Sequence, residues 1–198
     1  KGFENLKVHL ENLAQFGLPT VVAGNQFVSD TQEEIDCLQS LCKKSGAQAV
    51  LCQVWEKGGE GGQDLARAVV EICEKNEGKF TFLYPDELPL TEKIEVLAKK
   101  LYRAKAVDIA PAALKKLQKF QEAGYGNLPI CMAKTQYSFS DDMTKLGAPE
   151  DFVVTVRNVK VSAGAGFIVA LTGDIMTMPG LPKVPAAKKI DVDEDGKI

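Results

Sequence analysis

The first apolar stripe of the chain has the spacing of an α-helix. Its members lie three or four residues apart and are Phe3, Leu6, Leu10, Leu13 and Phe16. This spacing places their side chains on one side of a helix, and Gly17 followed by Pro19 ends that helix. The only histidine, His9, lies off the stripe, so we expect its ring to be solvated.

Short apolar runs alternate with helical stretches up to about residue 106. The runs predict strands at 20–23, 50–54 and 80–83. Thr31, followed by Glu33 and Glu34, has the composition of a helix N-terminus. A helix is predicted after residue 62. Its apolar residues are expected to face the core, and they are Leu65, Ala66, Val69, Val70 and Cys73. Strands that alternate with helices indicate βαβ crossovers and a largely parallel sheet.

The pattern changes after about Val107. A helix is predicted from Pro111 to Gly124, followed by a short strand at 128–133. The alternating segment 152–161 and the segment 167–171 predict two antiparallel strands. The sequence therefore predicts an α/β fold, in which part of a parallel sheet with flanking helices is followed by a smaller α+β unit. We expect a first domain at 1–106 and a second at 107–198.

The composition is that of an ordinary soluble globular protein, with 45% hydrophobic and 26% charged residues among 198. Lys and Arg number 24 against 27 Asp and Glu, so the net charge of −3 offers no basic excess for a nucleic-acid partner. No unbroken apolar run has the length of a membrane-spanning helix. The chain starts at Lys1 without a methionine or a signal peptide, which indicates part of a longer protein.

The cysteines do not have the spacing of a disulfide framework or of a four-cysteine zinc site. They are Cys37, Cys42, Cys52, Cys73 and Cys131, an odd number without a CxxC pair. We therefore expect structural thiols in a reducing compartment, the cytoplasm. The single histidine excludes a multi-histidine metal site and a histidine-based triad within this chain. The acidic run 191–196 imitates the start of an EF-hand loop without its last ligand, so no metal site is predicted.

Two aromatic residues follow the predicted parallel strands. Phe27 and Trp55 each come just past the carboxyl end of a strand, where open α/β sheets bind their ligands. Two rings at the ends of adjacent strands can hold a flat heterocycle between them. The alternative is that each ring covers the edge of the core.

Two further segments have residue types that suit an anion. Gly58, Gly59, Gly61 and Gly62 precede a helix, where glycine amides and the helix N-terminus favour negative charge. The segment is not a Walker loop, because no Gly-Lys-Ser/Thr follows it, and a flexible connection is the alternative. Lys134 lies in a polar loop after a predicted strand. Its ammonium group either binds a carboxylate or phosphate or is exposed to solvent.

Long motifs along the whole chain resemble the formate–tetrahydrofolate ligase family. They occupy residues 21–27, 54–62, 126–138, 161–167 and 176–182. The sequence of residues 135–142 is similar to that of the bacterial, single-function form of the family. The resemblance implies a ligase that makes 10-formyltetrahydrofolate from formate, ATP and tetrahydrofolate through formyl phosphate.

The resemblance also implies roles for individual residues. The aromatic pair that sandwiches the pterin in the family falls on Phe27 and Trp55, and the family asparagine two residues before the phenylalanine is Asn25. Gly24 and Gln26 stand where the family usually has a bulky aliphatic and a basic residue. None of the residues implied here is catalytic.

No Gly-x-x-x-x-Gly-Lys-Ser/Thr occurs in the 198 residues, although the family carries such a loop upstream of these motifs. The resemblance therefore implies the carboxyl-terminal part of the ligase, inactive alone, with ATP, Mg²⁺ and formate bound by a missing amino-terminal part. No permanently bound cofactor is expected. The resemblance further implies a cytoplasmic homotetramer. The alternatives are a non-catalytic module that binds folate or a nucleotide, and an assembly domain of a homo-oligomer.

Overall fold

The computed structural model describes residues 2–75, 77–175, 184, 185, 188 and 191. The motif at 176–182 and most of the acidic run at 191–196 lie outside these residues. The helices are α1 Phe3–Ala14, α2 Gln32–Lys44, α3 Val54–Lys57, α4 Gln63–Lys75, α5 Leu90–Lys100 and α6 Pro111–Phe120, with a 3-10 turn at Gly58–Gly62 and a π turn at Gln121–Tyr125. The strands are β1 Val21–Asn25, β2 Gln48–Cys52, β3 Ala106–Ile109, β4 Ile130–Ala133, β5 Val153–Ser162 and β6 Phe167–Thr172.

Strands β1 and β2 form a parallel two-stranded sheet. Their register runs from Val21 opposite Gln48 to Asn25 opposite Cys52. Helix α2 makes the crossover between them, as a parallel connection requires. The predicted α/β class, with a parallel sheet and flanking helices, is confirmed.

The prediction of a strand at 80–83 is wrong. The segment adopts no strand conformation, and the backbone N–H of Thr81 donates to the carbonyl of Phe16, in the turn after α1, at 3.0 Å. Phe80 stacks on Phe16 with ring centroids 6.1 Å apart, while Phe82 stays 80% exposed. An apolar run becomes a strand only where its backbone pairs with another strand, and here the turn after α1 takes that place.

The second half of the chain contains a mixed four-stranded sheet in the order β3-β5-β6-β4. Strands β5 and β6 are antiparallel, as predicted, while β3 pairs with β5 and β4 with β6 in parallel. The sequence does not predict β3, because its four residues carry too short a pattern. The core cluster on this sheet comprises Leu90, Ile94, Ala113, Leu117, Ile130, Val156, Val159, Ile168 and Ala170.

Helices α5 and α1 both contribute to the packing around this sheet. Leu90 and Ile94 of α5 belong to its core cluster, although α5 precedes residue 106. Val8 of α1 is 2% exposed and belongs to a second cluster that includes Phe152 and Val154. The division into domains at residue 106 stays a prediction.

Helix α4 turns a different face inward than its apolar stripe predicts. Ala68 is 5% exposed, whereas Val69 and Val70 are 46% and 54% exposed. Leu65 and Ile72 are half-buried, so the buried face runs through 65, 68 and 72. Both faces of this helix have apolar residues at helical spacing, so periodicity alone does not choose between them.

Replacing Thr31 by alanine is expected to lower the free energy of unfolding by about 1 kcal/mol at pH 7. Thr31 caps α2: its Oγ1 accepts from the N–H of Glu34 at 3.3 Å, and its N–H donates to the Glu34 carboxylate at 3.0 Å. The control is Thr31→Ser, which keeps the hydroxyl. Urea unfolding checks the effect, and equal stability of the alanine variant would contradict the cap.

The same cap has a pH dependence with a defined sign. Hydrogen bonds from Thr31 lower the pKa of the Glu34 carboxyl. The stability that the ionised carboxylate contributes is therefore complete above the ordinary glutamate pKa and is lost as the pH falls through the lowered one. A Glu34→Gln variant is expected to lack this part of the pH dependence.

Candidate functional site

The structure brings the rings of Phe27 and Trp55 together. Phe27 follows the end of β1 by two residues, and Trp55 follows the end of β2 by three. Because the two strands are parallel neighbours, both residues emerge at the same edge of the sheet. The ring centroids are 6.4 Å apart and the ring planes are inclined by 52°. The side chains are 49% and 73% exposed, so both rings are accessible to a ligand.

A short turn holds the backbone of Phe27. Its N–H donates to Asp30 Oδ2 at 2.8 Å, and its carbonyl accepts from the N–H of Asp30 at 3.0 Å. Thr31 then begins the cap of α2, so the turn is fixed at both ends. These hydrogen bonds fix the backbone of Phe27, and none of them involves its ring.

Trp55 lies in the one-turn helix α3. The strand predicted at 50–54 ends earlier, at Cys52, and the chain turns at Gln53 into this helix. The carbonyl of Gln53 accepts from Glu56 N at 3.1 Å and from Lys57 N at 2.9 Å. Lys57 Nζ also donates to Gln53 Oε1 at 2.9 Å. Gln53 is thus the anchor of the turn that bears Trp55.

The two rings as they stand form a tilted pair and not an open slot. Stacked aromatic rings sit with centroids about 4.5–7 Å apart, and a third ring between two others requires about two interplanar distances, near 7 Å. Trp55 therefore has to rotate from its 52° inclination for a flat ligand to enter. Its high exposure leaves room for that rotation.

Asn25 is the last residue of β1 and is exposed. It lines a cavity of ≈ 420 Å³ together with Gln26, Asp30 and Glu34 at the start of α2. The carboxylates of Asp30 and Glu34 already accept hydrogen bonds from Phe27 and Thr31. The amides of Asn25 and Gln26 add hydrogen-bond donors to this cavity, which the two carboxylates do not have.

The glycine run forms a 3-10 turn between α3 and α4. Gly58 has φ +58°, a conformation that favours glycine. A Cβ at Gly61 would lie 2.4 Å from the carbonyl oxygen of Gln53, so this position has no room for a side chain. The conformation of Gly58 and the lack of room at Gly61 therefore explain why these two positions carry glycine. That Gly58, Gly59, Gly61 and Gly62 bind an anion stays a prediction.

Lys134 is half-buried and held by its own loop, and a carboxylate or phosphate bound at this lysine stays a prediction. Its ammonium group donates to the carbonyls of Thr135 at 3.0 Å and Ser140 at 2.9 Å and to that of Ser138. It also lies 5.2 Å from the centre of the Tyr102 ring. Burial lowers the pKa of Lys134 to about 8, which the carboxylate of Asp141 opposes. The lysine thus ties its own loop together.

A cavity of ≈ 440 Å³ lies beside this loop. Its lining includes His9 of α1, Tyr102 and Tyr137. His9 is exposed, as expected, but its ring also contacts Phe139 with centroids 4.7 Å apart. Lys134, the candidate anion-binding lysine, also lines this cavity. The cavity as a whole has no signature in the sequence, because its walls come from four separate parts of the chain.

The described part of the chain has neither a membrane-spanning helix nor a cluster of metal-binding side chains. No helix there combines the length and the apolar character needed to cross a membrane. No three or more His, Cys, Asp or Glu side chains among those residues gather in a way that would hold a metal ion.

A comparison with protein families gives one match. The family model described as formate–tetrahydrofolate ligase matches residues 1–198, the whole chain.

Proposed function

The chain belongs to the formate–tetrahydrofolate ligase family, and from this premise we propose that it supplies the folate-binding part of such a ligase. Phe27 and Trp55 hold the pterin between their rings, and Asn25 contacts it from the strand end. The observation that carries the proposal is the accessible ring pair, 6.4 Å apart, at the carboxyl edge of two parallel strands. This edge is where ligands bind in open α/β sheets.

The proposed reaction joins formate to tetrahydrofolate with ATP and Mg²⁺ as the further substrates of the full enzyme. A formate oxygen attacks the γ-phosphorus of ATP, the bond from that phosphorus to the bridging oxygen breaks, ADP leaves and formyl phosphate forms. A folate nitrogen then attacks the formyl carbon, the bond from carbon to the phosphate oxygen breaks, phosphate leaves, and the nitrogen loses its proton. The part played by this chain is to fix the pterin ring, since holding a nucleophile in the attacking geometry removes an entropic cost from the step.

Phosphoryl transfer depends on a glycine loop, a lysine and Mg²⁺ that position the triphosphate. No Walker sequence occurs among the 198 residues. We therefore place the ATP and formate sites on an amino-terminal part of the same enzyme, and we propose a cytoplasmic protein that is inactive as this chain alone.

A second role, in assembly of a homo-oligomer, stays a prediction. Val69 and Val70 of α4 and Phe82 are 46%, 54% and 80% exposed. Single exposed apolar side chains are normal on protein surfaces and do not by themselves mark an interface.

One titration with the 198-residue chain tests the proposed function. Trp55 is the only tryptophan, so its fluorescence reports on the ring pair alone. We expect tetrahydrofolate to quench this emission, ATP with Mg²⁺ to leave it unchanged, and all substrates together to yield no 10-formyltetrahydrofolate. N-acetyltryptophanamide in the same solutions corrects for light absorbed by the folate.

The outcomes separate the parts of the proposal. Absence of quenching would contradict the folate site, and equal quenching by ATP would favour a nucleotide-binding module. Product formation by the purified chain would overturn its inactivity and leave the folate site standing.

A further inference from the structure

The position of Trp55 depends on one peptide group. Helix α3 has only four residues, and Trp55 is 73% exposed, so packing does not hold the ring. The carbonyl of Gln53 accepts the two hydrogen bonds that close this turn, from Glu56 and Lys57. The N–H of the same residue donates to the carbonyl of Gly61 at 2.9 Å. Whatever moves the Gln53–Val54 peptide therefore moves Trp55.

Gly61 touches this peptide with its own backbone. A Cβ there would lie 2.4 Å from Gln53 O, 2.5 Å from Gln53 C and 3.0 Å from Val54 N. All three atoms belong to backbone, which cannot swing away as the end of a side chain can. Gly61 does not have a positive φ, so the missing side chain matters here for room and not for backbone strain.

We propose that Gly61 is the positioning residue for Trp55: the absence of a side chain lets the 3-10 turn close onto Gln53 and so holds the indole against Phe27. The inference rests on the proposed function of the ring pair in folate binding. In this proposal the glycine run does not serve to bind an anion, because the close approach at Gly61 is to the backbone of the same chain.

Two other glycines make matched controls for an alanine substitution. Gly59 lies in the same 3-10 turn, and Gly164 lies in the turn between β5 and β6. A Cβ at either position would have no neighbouring atom within 4 Å, and neither glycine has a positive φ. Gly61→Ala, Gly59→Ala and Gly164→Ala therefore make the same chemical change with and without a clash.

The experiment compares the three variants with the unchanged 198-residue chain. Tryptophan emission and anisotropy report on Trp55 without any ligand, and calorimetry gives the affinity for tetrahydrofolate. We expect Gly61→Ala to shift the emission and weaken folate binding by about tenfold, in keeping with the partial loss of stacking on a ring. Gly59→Ala and Gly164→Ala are expected to keep the emission and affinity of the unchanged chain.

Two results would overturn the proposal: Gly61→Ala with unchanged emission and affinity, or Gly59→Ala with the same loss as Gly61→Ala. The emission arm does not need folate, so a chain that fails to bind folate would refute the proposed function and still test the positioning by Gly61.

Should Gly61→Ala unfold, a gentler displacement of the same turn is available. A Cβ at Gly62 would lie 3.0 Å from Val54 Cγ1, a side-chain atom that a Val54→Ala substitution removes. We expect Gly62→Ala to shift the emission of Trp55 and Val54→Ala to restore it in the double variant. No shift, or no restoration, would overturn the proposal.

Discussion

Replacement of Trp55 by alanine is expected to weaken tetrahydrofolate binding by about 1–3 kcal/mol, roughly 5- to 150-fold, by analogy with aromatic stacking on nucleobases. The loss follows from the geometry of the pair, because Phe27 alone offers the pterin one face only. In the longer enzyme proposed above, the affinity for ATP is expected to stay nearly unchanged. Calorimetry measures both affinities without need of the indole.

The control substitution removes an exposed ring elsewhere. Phe82→Ala takes away a side chain that is 80% exposed and contacts Phe80 edge-on, with centroids 5.0 Å apart. It is expected to leave folate affinity unchanged. Trp55→Phe is expected to recover part of the affinity. A Trp55→Ala variant of unchanged stability and unchanged folate affinity would end the role of Trp55 as a clamp.

Substitution of Lys93 by methionine is expected to destabilise the fold by about 1–3 kcal/mol, the cost of a buried acceptor left without its donor. Lys93 lies on α5 and is 0% exposed. Its Nζ donates to the carbonyls of Gly126 at 2.8 Å and Leu128 at 3.1 Å, in the segment that leads into β4. Methionine fills nearly the same volume but leaves both carbonyls without this donor, and buried unpaired carbonyls are costly.

Two opposing effects act on the ammonium group of Lys93. Burial lowers the pKa of Lys93, while the carboxylates of Asp86 and Glu87 raise it. Nζ also lies 5.8 Å from the centre of the Tyr84 ring, whose hydroxyl accepts from the N–H of Ile130 at 3.1 Å. Lys93 and Tyr84 thus hold the start of β4 from two sides.

Lys99→Met is the control on the same helix. Lys99 is half-exposed and pairs with Glu95 at 2.7 Å, an i,i+4 ion pair of the kind worth at most about 0.5 kcal/mol. Urea unfolding of both variants measures the contrast. Equal stabilities would show that the two carbonyls held by Lys93 contribute nothing to the fold.

Local signals in the sequence predicted the elements whose cause is local. The cap at Thr31 is set by residues next to each other along the chain. The hairpin of β5 and β6 follows from alternation and a short turn for the same reason. Phe27 and Trp55 were identifiable because a position just past a parallel strand has meaning without knowledge of the rest of the fold.

Contacts between distant parts of the chain decided what the sequence could not. Residues 80–83 have the composition of a strand, yet their neighbour is the turn after α1 and not β1 or β2. Lysine is a residue type normally found at the surface. Lys93 is buried only because α5 packs against the segment before β4. The same holds for the ammonium group of Lys134, which lies 5.2 Å from the centre of the ring of Tyr102, a residue far from it along the chain.

Spacing and nearby residue types were enough to predict the α/β class, the parallel pairing of the first two strands, the family and the residues of the ring pair. Tertiary structure alone decided the face that α4 buries, the 6.4 Å separation and 52° tilt of Phe27 and Trp55, and the contact of Gly61 with Gln53. Such features depend on how close two backbones come, and spacing along a chain carries no measure of that distance.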